Sequence, residues 1–178
     1  MKNANVALLV ILVLLLGAAL QLMHYYPLMP ERMATHFGTS MQADGWSARQ
    51  SFFTTYALVE VGVVIILLVP VFLTKRLPTS MINMPNRDYW FAPERREDTW
   101  VQMSVYALWM AALTLGFLIV VAEATFRANL ARVAAPTLGH SFFWGLGIYV
   151  AAVLLGTVRF YTRFAKIPRA PDTPPVPE

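Results

Sequence analysis

Four long apolar runs alternate with short polar segments along the chain. The first extends from Ala4 to Met23 without a charge. The second, Phe52 to Leu73, is interrupted only by Glu60. The third covers Val101 to Val121 and the fourth Phe142 to Tyr161. A hydrocarbon core of about 30 Å takes about 20 apolar helical residues to cross, so each run predicts a membrane-spanning helix. Lys2 ahead of the first run gives it some likeness to a signal peptide. The run is too long for a typical signal core and no small-x-small cleavage site follows, so it is expected to stay as a helix.

The connections carry their own signals. Ser47 followed by Gln50 fits a capping box before the second helix. Pro93 at the first turn, with Glu94, Glu97 and Asp98 near the positive end of the dipole, marks the start of the third. Small residues four apart (Ala107 and Ala111, Gly147 and Ala151, Ala152 and Gly156) allow close helix packing in lipid. The expected architecture is an all-α integral membrane protein. Residues 1–165 form one four-helix domain and 166–178 a disordered, proline-rich tail.

Composition agrees with that class. Of 178 residues, 57% are hydrophobic and 13% charged, where a soluble domain carries about a quarter charged residues. Cysteine is absent, which excludes disulfides, thiolate metal sites and cysteine nucleophiles. The net charge of +4 reflects where the basic residues sit relative to a membrane, and no nucleic-acid partner is expected. With the N-terminus inside, Lys2, Lys75, Arg76, Arg87, Arg95, Arg96, Arg159, Arg163, Lys166 and Arg169 fall on the inner side. Arg32, Arg49, Arg127 and Arg132 fall outside. The positive-inside rule therefore favours both termini in the cytoplasm of a multi-pass inner-membrane protein.

That topology places a turn-rich loop, residues 24–51, outside the membrane. Its prolines and the Asp44–Gly45 pair fix backbone shape, so a structured loop is expected, with His36 and Asp44 close together above Glu60. Glu60 itself lies about 12 Å below the surface at 1.5 Å per residue. A carboxylate at that depth is costly unless protonated or paired, and it is expected to face the bundle interior. It reads either as a proton or ligand site or as one buried hydrogen bond between helices, and Glu123 as a partner of Arg127 four residues on. His24, His36 and His140 are the only imidazoles; their spacing matches no metal motif, and no metal or cofactor is expected. On the inner side, Tyr89 and Trp90 are expected at headgroup level, with Arg95 and Arg96 near lipid phosphates. No phosphate-binding glycine loop, nucleophile elbow or paired-carboxylate pattern is present, so an enzyme is not expected.

Pro27, Pro30, His36, Phe37, Asp44, Gly45 and Trp46, then Arg49, resemble the signature of a bacterial membrane-protein family catalogued as domain of unknown function sixteen-forty-eight. Asn83, Pro85, Asn86, Asp88, Tyr89, Trp90, Pro93, Arg95 and Arg96 resemble the segment that often follows the second helix there. The resemblance spans roughly residues 5 to 121. One departure is Met41, where the family usually has glycine; a left-handed backbone there is strained for methionine. Relatives include SdpI-type immunity and signalling proteins, so the resemblance implies a recognition role. The expected function is non-enzymatic recognition or sensing, with His36, Phe37, Asp44, Trp46 and Glu60 binding a peptide, lipid or partner protein. The alternatives are an accessory subunit of a larger membrane complex, with the histidines available to pigment or haem, and then a small transporter or enzyme.

Overall fold

The structure, a computed structural model, describes residues 2–76 and 78–168. Most of the segment expected to be a disordered tail, residues 169–178, lies outside the described residues. Four helices are long and apolar enough to cross a membrane. These are α1 (Lys2–Tyr25), α2 (Arg49–Thr74), α4 (Arg96–Leu130) and α5 (His140–Ala165), with a four-residue α3 (Arg87–Trp90) in the connection between α2 and α4.

The expectation of an all-α chain is corrected in the loop after α1. Residues 32–48 form an antiparallel hairpin, β1 (Arg32–Phe37) and β2 (Ala43–Ala48). The two strands are half-polar on both faces, so they lack the alternation that betrays a strand in sequence. The capping box is corrected too. Ser47 is a residue of β2, Ala48 takes the cap position without a side-chain bond, and α2 starts at Arg49. Similarly, α4 starts at Arg96, so Pro93 and Glu94 precede it, while Glu97 and Asp98 do occupy its first turn.

The central element is α4, against which α1, α2 and α5 all pack. Small side chains let the backbones approach: Ala7 and Ala18 of α1 and Ala111, Ala112 and Ala122 of α4 are buried. Two apolar clusters form along this seam. One joins Ala7 and Ile11 to Leu108, Ala111 and Ala112; the other gathers Met29, Met33, Phe53, Ala122 and Phe126 under the hairpin. On α5 the small-residue expectation holds only in part. A Cβ on Gly156 would meet the Met110 Cε at 3.0 Å, whereas Gly147 has nothing within 4 Å, and Ala151 is exposed.

The third helix also runs well past Val121. It has 35 residues, about 52 Å at 1.5 Å each, against about 30 Å of hydrocarbon. Glu123 and Arg127 do not end it: they pair one turn apart, Arg127 Nε donating to Glu123 Oε1 at 2.7 Å. The extra turns form the post to which the hairpin is fixed.

Candidate functional site: a hairpin locked onto the bundle end

The hairpin is held from below, from the side and from within. Below it, an aromatic floor joins α1, α2 and α4: Tyr25 stacks on Phe126 with centroids 4.5 Å apart, and Phe53 stacks on the same ring at 5.3 Å. Met33 of β1 is fully buried on this floor.

From the side, Asn129 of α4 acts as a substitute strand. Its Oδ1 accepts from the Ala34 N–H at 2.8 Å, and its Nδ2 donates to the Ala34 carbonyl at 2.9 Å. The same Nδ2 also bonds the Thr125 carbonyl, 2.9 Å away. One buried amide thus satisfies both backbone groups of Ala34, which would otherwise be left unpaired inside the protein. Arg49, at the junction with α2, donates to the Met29 carbonyl at 2.9 Å, and its guanidinium lies 4.8 Å from the Tyr26 ring centroid. At the tip, the α4–α5 loop joins in: the Ala43 N–H donates to Pro136 O at 2.9 Å and the Leu138 N–H to Met41 O at 3.1 Å.

Within the hairpin, two glycines make room for one polar pair. His36 Nδ1 and Asp44 Oδ1 are hydrogen-bonded. A Cβ on Gly45 would lie 2.7 Å from the His36 Cβ, and one on Gly38 would lie 2.7 Å from Asp44 Oδ2. Only glycine fits at either position while the pair is made. Register irregularities between Ala34 and Phe37 accompany it and re-aim side chains, as bulges do. His36 and Asp44 keep 75% and 54% of their side-chain surface exposed. Trp46 is exposed beside them, with the Arg32 guanidinium 5.9 Å from its ring centroid; Phe37 is half-buried. The hairpin therefore presents a cation, an indole, an imidazole and a carboxylate from a fixed base.

The turn itself carries strain. The Met41 N–H bonds Gly38 O at 2.8 Å and the Gly38 N–H bonds Gln42 O at 3.0 Å, with Met41 at φ 61°. A left-handed side-chain-bearing residue costs roughly 1–2 kcal/mol. Met41→Gly is expected to raise stability by about 1 kcal/mol, read as a higher melting temperature in detergent; an unchanged or lower value would show that the Met41 side chain contributes more than its backbone costs.

Glu60 is buried in the bundle, 3% exposed, and its Oε1 has no hydrogen-bond partner among the described residues. The expected inter-helix hydrogen bond is thus not made by this atom. Tyr56, one turn earlier on α2, donates its hydroxyl to the Leu118 carbonyl of α4. Nearby, Gln21 of α1 donates to Ile119 O at 3.2 Å and to Glu123 Oε2 at 3.0 Å, and Tyr25 donates to Glu123 Oε1 at 2.8 Å. These residues form a polar layer joining α1, α2 and α4 under the hairpin. Gln21 was not singled out from the sequence, although with Asn5 it is one of two amide side chains in the first run. His24 lies in the last turn of α1 and His140 starts α5. Among the described residues, no three His, Cys, Asp or Glu side chains gather as metal ligands.

At the opposite end of the bundle, Trp90 turns inward rather than presenting its indole to lipid. Trp90 is buried, its Nε1 donating to the Phe164 carbonyl at 2.7 Å. Asn86, in left-handed conformation, bonds the Phe164 and Ala165 carbonyls at 3.1 and 2.9 Å. Together they satisfy orphan acceptors at the end of α5. Arg95 is committed to Tyr89, donating to its carbonyl at 2.9 Å with the guanidinium 4.0 Å from its ring centroid. Arg96 is exposed and Tyr89 half-buried.

Residues 8–59 match the model of a family described as Domain of unknown function (DUF1648). The matched stretch covers most of α1, the whole hairpin and the start of α2, including both glycines and the His36–Asp44 pair. Asn129, which locks the hairpin, lies outside it. No curated protein and no solved structure gives a match.

Proposed function

We propose that this chain is a non-enzymatic recognition protein of the bacterial inner membrane. In this reading both termini are cytoplasmic and the hairpin faces outward, where it binds an extracytoplasmic peptide or partner protein. The observation that carries it is the His36–Asp44 pair. It is solvent-exposed, it is set in place by two glycines, and it sits on a hairpin anchored to three helices. A connector needs none of this, whereas recognition benefits from side chains held before the ligand arrives. The resemblance to a family whose relatives include SdpI-type immunity proteins agrees with the same reading. The orientation follows from the charge split, with four of the fourteen basic residues at the hairpin end.

Orientation is tested first, by single cysteines in a chain that has none. Ser40→Cys is expected to react with a membrane-impermeant maleimide in intact cells and Thr79→Cys only after lysis. The reverse pattern would put the hairpin in the cytoplasm and remove an extracytoplasmic ligand.

Recognition is tested by His36→Ala and Asp44→Ala. Both side chains are exposed, so each variant is expected to keep its stability within about 1 kcal/mol while failing to rescue the sensitivity of a deletion strain. Variants that complement fully would reduce the pair to scaffold.

A further inference from the structure

Three adjoining cavities lead from the α2–α4 connection to the face of α4, toward the end opposite the hairpin. The outermost, ≈ 730 Å³, is polar and is lined by Asn83, Asn86, Arg87 and Asp88 among others. It shares Asn83 and Met84 with a second of ≈ 500 Å³, which shares Met103 and Phe160 with a third of ≈ 360 Å³. This last is an apolar shaft between α2, α4 and α5, with Leu67 on one side, Tyr149 and Val153 on the other, and Met103 to Thr114 as its floor.

Its dimensions and polarity define an occupant. From Met103 to Thr114 the floor runs eleven residues of α4, about 16 Å at 1.5 Å per residue. That is half of a hydrocarbon core of about 30 Å, the depth of one leaflet. The second and first cavities carry the path on to Phe164 and Ile167, where α5 and its apolar span end. The mouth holds both signs of charge: Arg87 Nε lies 3.1 Å from Asp88 Oδ1, and Asp88 keeps 87% of its side-chain surface exposed.

We propose that this groove holds one membrane phospholipid as a resident ligand, with an acyl chain in the shaft and a phosphoethanolamine headgroup at the mouth. The phosphate faces Arg87 and the Asn83 amide; the ammonium faces Asp88. A zwitterion matches a mouth of balanced charge, whereas an anionic headgroup brings its charge against the Asp88 carboxylate. The acyl chain lies between α2 and α5, both of which pack on α4. The site differs from the Arg95–Arg96 pair expected from the sequence, because its polar lining is Asn83, Asn86, Arg87 and Asp88. It is independent of the hairpin reading.

The test is native mass spectrometry of the full chain, exchanged in mild detergent with equimolar phosphatidylethanolamine and phosphatidylglycerol. The wild type is expected to retain one phospholipid per chain, phosphatidylethanolamine several-fold over phosphatidylglycerol. Val153→Trp, which fills the shaft, is expected to lose retention of either lipid several-fold. Asp88→Ala, a change at an exposed side chain that leaves the fold intact, is expected to keep the lipid and lose the preference. A wild type that holds no lipid, or holds as much as Val153→Trp, overturns the proposal. A preference for phosphatidylglycerol, or one unaltered in Asp88→Ala, overturns the headgroup assignment even if Val153→Trp fails to fold.

Discussion

Replacing Asn129 by leucine is expected to destabilise the protein by about 3 kcal/mol, because two buried backbone groups lose their only side-chain partner at roughly 1–3 kcal/mol each. The side chain keeps its branching and its number of heavy atoms, so the loss chiefly reports hydrogen bonding. The Ala34 N–H and C=O and the Thr125 carbonyl all lose a bond that Asn129 now makes. The damage is local in character. The Ala34 amide is expected to exchange about a hundredfold faster, 1.4 kcal/mol being a factor of ten, while amides in the middle of α4 are little changed. Asn129→Asp keeps an acceptor for the Ala34 N–H but faces the Ala34 carbonyl with a second acceptor, so it is expected to be no better. Hydrogen exchange and thermal melting of the two variants check this. A wild-type Ala34 rate in Asn129→Leu would mean that the aromatic floor alone holds the hairpin.

Gly45→Ala is expected to cost about 2 kcal/mol and to abolish recognition as well. The added methyl would lie 2.7 Å from the His36 Cβ, an atom fixed to the backbone that cannot swing aside, and overpacking of this kind costs typically 1–3 kcal/mol. Gly38→Ala makes an instructive contrast. Its methyl meets Asp44 Oδ2, the far end of a side chain that can rotate away. The expected outcome is a small loss of stability with full loss of the His36–Asp44 pair, hence of complementation. Melting temperature and complementation measured together on both variants separate the two effects. Equal stability losses in the two would show that strand geometry, not the polar pair, governs both glycines.

Where the sequence was informative, the reason was local. The four spans are legible because twenty apolar residues in succession have few other uses. The Glu123–Arg127 pair is legible because both partners sit on one helix, one turn apart. The hairpin was only half visible. Its turn residues stood out, yet R-M-A-T-H-F and A-D-G-W-S-A show neither the alternation nor the β-branched richness of a strand. They pair because α4 supplies the missing edge from Asn129, ninety-five residues away from Ala34, a relation no local pattern carries. The same distance hid the fate of Trp90. An aromatic beside arginines reads as an interface anchor until Phe164, 74 residues on, is found to present its carbonyl. Ser47 and Gln50 had the right types and spacing for a cap, but the helix begins one residue later than that pattern requires, since Ser47 is held in β2 opposite Met33.

The length of α4 bears on how the two ends of the molecule communicate. Asn129 ties its last turn to the hairpin, and Thr99, in its first turn, donates to the Trp90 carbonyl at 2.7 Å. Thirty residues, about 45 Å of helix, separate these two fastenings, and no proline interrupts them. A helix without such a break flexes only gently. The hairpin and the Trp90 turn are thus fastened to opposite ends of one unbroken rod, and a displacement at either end is expected to be carried along it rather than taken up at a hinge.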